Sequence, residues 1–249
     1  MKKILFVLIP FYLFTTSFVL PKIQLEKQNL NTDSLTISKN FNQSENTKIS
    51  KSQEVFSLID FTNEEKLDET VFEKAFKGFE KLKIVGQLPE ESHLLTIVDF
   101  SKSSNKNRLW VIDLENKKVL FNALVAHGMG TGEEFAEHFS NRDSSHQSSL
   151  GFYITEATYT GNNGYSLRLM GVDKGFNDAA LQRSIVMHGA DYVSANFATA
   201  HKRIGRSWGC PAVSRDLAEP IINTIKGKNC LFIYYPDNNY LKSSEWLKS

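Results

Sequence analysis

Between residues 94 and 235 the chain carries six short β-forming runs: LLTIVDF (94–100), RLWVIDL (108–114), KVLFNALVA (118–126), SLRLM (166–170), RSIVMH (183–188) and NCLFIYY (229–235). Runs this short, rich in Val, Ile, Leu and aromatics and broken by polar or glycine-bearing segments, specify strands, so the core is mainly β-sheet. Glu115-Asn116-Lys117 separates two of the runs as a hairpin loop, which pairs 108–114 with 118–126 antiparallel. Two helices decorate the sheet. One follows His188 through ADYVSANFA, and the other spans Ser214 to Lys226, with Ser214 as N-cap and Leu217, Ile221, Ile222 and Ile225 as its apolar face despite Pro220.

Ahead of the strands, ETVFEKAFKGFEKL places Val71, Phe72, Ala75, Phe76, Phe79 and Leu82 three and four apart. That spacing predicts an amphipathic helix that packs on its own domain and ends near Gly86. Residues 53–90 are thus read as a helical N-terminal extension. Residues 1–20 have two lysines before an uncharged apolar run from Ile4 to Leu20, the order of a secretory signal. No A-x-A cleavage pattern follows, and an uncleaved segment would act as a membrane anchor. Residues 21–52 are polar, without a sustained period, and read as a disordered linker; 237–249 read as a C-terminal tail. The expected location is outside the cytoplasm, in the periplasm or attached to the cell envelope.

With 29 basic and 28 acidic residues the net charge is +1, and no dense Lys/Arg patch lies beyond the first residues, which argues against a nucleic-acid partner. Two cysteines, Cys210 and Cys230, exclude a multiply cross-linked scaffold but leave one disulfide available. Cys230 lies in the apolar run CLFIYY and reads as a buried small hydrophobe. Cys210 lies in the glycine-flanked turn RSWGCP. An accessible thiol oxidises readily outside the cytosol, so nucleophilic catalysis is a reason to keep one. His188, at the end of RSIVMH and before Gly189, is the candidate base, carried to a cleft by its strand end. Gly209 allows a tight turn, and the amides of Gly209 and Cys210 are candidate oxyanion donors.

VMHGADYV together with GRSWGCPAV resembles the L,D-transpeptidase (YkuD-type) catalytic domains, in particular the murein L,D-transpeptidase branch. LTIVDFSKSS, RLWVIDLENKKVL, VAHGMGTG, FSN at 139–141, SSLGFY and NDAALQRSIVMHGA resemble it in the same order, so the likeness runs from about residue 70 to 236. It implies a β-sandwich or barrel-like catalytic fold at 91–236. It further implies Cys210 as nucleophile, His188 as base, the Gly189 carbonyl as the group orienting the imidazole, and the amides of Gly209 and Cys210 around the oxyanion. The implied partners are peptidoglycan stem peptides, cut between a diamino acid and D-Ala, and an amine acceptor on a second stem or a wall-attached protein. No cofactor or metal is implied. Water as acceptor would make an L,D-carboxypeptidase, and loss of activity a wall-binding module.

Two departures stand out: Trp208 occupies the place two before the cysteine where many relatives carry histidine, and Pro211-Ala212 follow where they carry arginine or asparagine. Arg206, Ser207, Trp208 and His127 are candidate substrate contacts. Arg206 belongs to a basic segment with His201, Lys202 and Arg203 that either binds stem carboxylates or is simply solvated. For His127 a hydrogen-bonded structural histidine is the better reading. Zinc at His188, Cys210 and His201 lacks any familiar ligand spacing, and GMGTG at 128–132 reads as a turn bordering the cleft.

Overall fold

A computed structural model describes residues 49–248. The expected signal segment and most of the expected linker lie outside the described residues. The linker ends earlier than its composition suggests, because Ser50 caps the first helix, α1 (Lys51–Leu58), in a reciprocal capping box with Gln53.

Helix α2 (Glu69–Ile84) begins where the Asp68 carboxylate accepts the amides of Thr70 and Val71. Its buried face is the predicted stripe, Val71, Phe72, Ala75, Phe76, Phe79 and Leu82. Gly78 adds a packing requirement that periodicity does not reveal: a Cβ there would lie 2.1 Å from the Phe152 ring. The helix therefore seats directly on an aromatic of the sheet. The chain leaves α2 through Gly86 at φ +72°, a left-handed conformation glycine adopts without strain.

Eight strands form one sheet: β1 (Leu94–Asp99), β2 (Leu109–Asp113), β3 (Lys118–Ala123), β4 (Gly151–Gly161), β5 (Gly164–Gly171), β6 (Val186–Gly189), β7 (Ala212–Val213) and β8 (Cys230–Tyr234). Their order is β3-β2-β1-β8-β4-β5-β6-β7. Strand β8 joins the two halves, parallel to β1 and antiparallel to β4. Beyond β3, Ala126 bridges to Ala212 of β7, so the two edges of the sheet meet and it nearly closes into a barrel. Closure removes most of the unpaired edge that an open sheet would present.

The β2–β3 hairpin turns as expected, with Lys117 at φ 55°. Strand β4 does not stand out in the sequence because its first half is buried on both faces and its second half projects toward solvent, so no single period runs through it. The RSIVMH strand starts later than expected. Residues 183–185 form a turn with Ser184 at φ 56°, and pairing begins at Val186.

The helix expected directly after His188 starts at Ala195 instead, where the Ser194 hydroxyl accepts the amide of Phe197; it is α3 (Ala195–His201). Helix α4 (Arg215–Ile225) follows Ser214 as predicted, although the Ser214 side chain makes no cap bond. The segment expected as a C-terminal tail is a correction. Residues 238–243 form α5 (Asn238–Ser243), Tyr240 is fully buried, and the Trp246 indole donates to Val172 O at 2.9 Å. Apolar residues at 240, 241, 246 and 247 fix it to the core, which a short polar stretch conceals.

Candidate active site

Strand β6 is only four residues long and buried throughout. Its register pairs His188 with Ser166 of β5 on one side and with Ala212 of β7 on the other. Ala212 is two residues past Cys210, so the sheet itself carries the thiol turn to the imidazole. Both side chains line one cleft of about 460 Å³, together with Arg183, Tyr192, Trp208 and Asn162-Asn163 at the tip of the β4–β5 hairpin.

Hydrogen bonds fix the thiol turn at every peptide that could swing. Ser207 N donates to His127 O at 2.9 Å, and Met129 N donates to Ser207 O at 2.8 Å. The Ser207 hydroxyl accepts the Gly209 amide at 3.0 Å and donates to Cys210 O at 2.7 Å. From the opposite loop, Ser148 Oγ accepts Gly128 N and donates to Gly209 O, each at 3.1 Å. Gly209 holds φ +119°, and a Cβ on it would lie 2.7 Å from Gln147 O, so only glycine fits.

His188 Nδ1 lies 3.1 Å from Gly189 O. A carbonyl only accepts, so Nδ1 carries the proton and Nε2 keeps its lone pair, the tautomer of a general base. Burial lowers the His188 pKa, and the charge of Arg215 lowers it further. Burial pushes the Cys210 thiol up, opposed by the Val186 amide, which donates to Sγ at 3.5 Å, and by the charge of Arg183. The resting pair is consequently a neutral imidazole and a thiol lining one cleft, with Sγ donating toward Ser184 O at 3.8 Å.

Residues 63–234 match the family of the L,D-transpeptidase catalytic domain. The chain belongs to that family. Among solved structures, this L,D-transpeptidase domain is similar to an L,D-transpeptidase from Mycobacterium smegmatis, at 12% identity over 58% of this chain and 59% of that one, with a TM-score of 0.36. It is similar to L,D-transpeptidase 1 from Mycobacterium tuberculosis, at 12% over 58% and 62%, TM-score 0.33. A third, the L,D-transpeptidase from Xylanimonas cellulosilytica, gives 14% over 74% and 90%, TM-score 0.32. The chain spans about three fifths of the length of the M. smegmatis structure. No curated protein matches it.

The remaining candidates of the L,D-transpeptidase domain divide sharply. Trp208 stands at the cleft mouth, 72% exposed and stacked on His146 with ring centroids 4.9 Å apart. Arg206 borders the cleft but is tied down, donating to Gly132 O at 3.0 Å and to Glu133 at 2.6 Å. Arg203 shares that Glu133, and His201 stacks on Phe197, so of the basic segment it is Arg206 that lines the cleft.

Ser207 is buried, lines the cleft and orders the turn through both its hydroxyl bonds. His127 is a correction: it is buried, its Nδ1 accepts from Arg108 at 2.8 Å, and its Nε2 donates toward Glu133 O at 3.1 Å. Both ring nitrogens are used inside the protein, and burial with the adjacent Arg108 holds its pKa down to about 3. Gly209 is a second correction, since its amide is already bonded to Ser207. The amides of Trp208 and Cys210 have no hydrogen-bond partner among the described residues, and they are the donors left to face an oxyanion.

Cys230 and Cys210 are both free thiols, and Cys230 is buried at the start of β8. Three groups that touch the thiol turn or its cleft escape a motif reading. The Val186 amide and Ser148 hydroxyl act through contacts distant in sequence. Arg183 leaves a trace, a lone cation five residues before His188 in LQRSIVMH, with nothing to say which way it points.

Proposed function

We propose that the protein is an exported cysteine acyltransferase of peptidoglycan, an L,D-transpeptidase that passes a stem peptide through a thioester on Cys210. The reading rests on family membership and on one observation: Cys210 and His188 line the same cleft, with the imidazole held in the tautomer that leaves Nε2 free.

In this mechanism Cys210 Sγ attacks the carbonyl between the diamino acid and D-Ala while His188 Nε2 takes the thiol proton. The negative charge on the tetrahedral oxygen is received by the amides of Trp208 and Cys210, donors commonly worth ~3 kcal/mol each. Collapse breaks the C–N bond, and His188 returns the proton to the departing D-Ala nitrogen. An acceptor amine then attacks the thioester, giving its proton to His188, and the Cys210 thiolate leaves and is reprotonated. Water in place of the amine gives the carboxypeptidase outcome.

Purified protein incubated with a disaccharide tetrapeptide decides between these. An acyl-enzyme mass absent in Cys210→Ala, together with dimeric muropeptide, is the expected result. Tripeptide and D-Ala alone point to hydrolysis, and no adduct with a reduced thiol points to a binding module.

A further inference from the structure

Arg183 is a cation of the cleft that makes no salt bridge among the described residues; the Asp143 carboxylate acts on it only from beyond 4.0 Å. Its Nη1 donates to Ser140 O at 2.8 Å and to Ser149 Oγ at 2.5 Å; its Nη2 donates to Gln147 O at 2.8 Å and to Ser145 Oγ at 3.2 Å. All four acceptors are neutral. Among the described residues no carboxylate lies within 4.0 Å of it, whereas Arg206 and Arg203 share Glu133 and Arg215 pairs with Asp191.

Four bonds to one loop make this guanidinium a fixed charge rather than a mobile surface one, and it is half-buried, where solvent screens it less. Its Nη2 lies 3.4 Å from the position a Cβ would take on Gly209, directly beside the thiol turn. The same loop carries Gln147, whose carbonyl faces the same side of Gly209, and Ser148, whose hydroxyl donates to Gly209 O.

We propose that Arg183 is a positioning residue that acts through Cys210: it supplies the fixed counter-charge for the thiolate and staples residues 140–149 against the nucleophile turn. A cation with no carboxylate of its own is unspent until an anion forms beside it, and the thiolate is the anion that the proposed reaction creates there. The other ionisable groups of the cleft are His188, Tyr192 and Arg206; Tyr153 and Asp143 act on Arg183, and Arg215 acts on His188 and Tyr192. The inference rests on Cys210 being the reactive thiol, and its test needs no peptidoglycan substrate.

The rate of alkylation by iodoacetamide, followed from pH 5 to 10 in the full chain, reads the ionisation of Cys210, because Cys230 is buried and Cys210→Ala sets the background. Arg183→Gln is expected to move the midpoint up by about one unit, a roughly tenfold loss of thiolate at neutral pH, and Arg183→Lys, which keeps charge and loses the fork, by less than about half a unit. A folded Arg183→Gln with an unmoved midpoint overturns the proposal and leaves a loop staple only. If Arg183→Gln does not fold, Arg183→Lys decides: a midpoint near wild type supports the charge, and a full-unit rise overturns it. Failure of the enzyme reading shows separately, as muropeptide turnover that is absent or survives Cys210→Ala.

Discussion

The Ser207 hydroxyl donates to the Cys210 carbonyl at 2.7 Å while accepting the Gly209 amide at 3.0 Å, so one buried side chain clamps the peptides around Cys210. Removing it frees the Gly209 amide and leaves the turn to drift. Ser207→Ala is expected to cost about 1–2 kcal/mol of stability, the usual penalty for orphaning a buried hydrogen-bonding group. It should cut kcat/KM about tenfold or more, because misplacing a nucleophile is expensive. Ser207→Thr, which keeps the hydroxyl, should recover part of the loss. Thermal unfolding and muropeptide turnover measured on the same preparations check this, and unchanged turnover in Ser207→Ala would refute it.

His188 is held below the ordinary histidine value by burial and by Arg215, so the free base persists into mildly acidic solution. The acidic limb of kcat/KM is therefore expected below pH ~6.5. Arg215→Ala removes a nearby positive charge and makes protonation of the imidazole easier. The sign follows: the acidic limb moves to higher pH, by a few tenths of a unit since Arg215 is itself solvated. His188→Gln should lower acylation about 10²- to 10⁴-fold at every pH. A pH–rate profile for the three proteins tests both statements.

Much of this site is legible from residues alone, and the division has a physical basis. His188 and Cys210 declare themselves because their chemistry is rare and their flanking glycines mark turns. The sheet declares itself through β-branched runs, as does the stripe of α2. What stays hidden depends on contacts between distant segments. The bond from Ser148 Oγ to Gly209 O, the seat of Gly78 on Phe152 and the closure of the sheet through Ala126 and Ala212 leave no local pattern. His127 shows the hazard in the other direction. A histidine beside a glycine-rich turn looks functional until Arg108, nineteen positions away, is found to occupy it.

Arg108 is fully buried and held by Val125 O, Lys102 O and His127, with burial lowering its pKa to about 9. His127→Ala would leave this cation short of an acceptor and create a cavity against Phe100, whose ring stands edge-on to the imidazole at 5.8 Å. The expected cost is about 2–4 kcal/mol. Because His127 has no open face toward the cleft, KM for the stem peptide should stay within about twofold of wild type where the variant is folded. Denaturant unfolding and steady-state kinetics separate the two effects, and a large KM rise without loss of stability would restore His127 as a substrate contact.

Asp173 gives the fold a pH dependence that can be isolated. Its carboxylate accepts from Phe152 N at 2.7 Å, from Tyr240 OH at 3.2 Å and from Ser244 Oγ, pinning the C-terminal segment to β4. Burial outweighs these three donors and raises its pKa from 3.8 to about 6. A raised folded pKa means that the folded state binds the proton more tightly than the unfolded chain does. Its stabilising contribution is thus complete below about pH 4 and is lost as pH rises through about 6, by up to about 3 kcal/mol for a shift of this size. Asp173→Asn cannot titrate there, while Asp99, raised by burial in the same direction, is common to both proteins and cancels. Urea unfolding of both from pH 4 to 8 should therefore show wild type losing stability relative to Asp173→Asn across this window and running parallel to it above pH ~7. A difference that stays flat would mean that the three donors fully offset the burial of the charge.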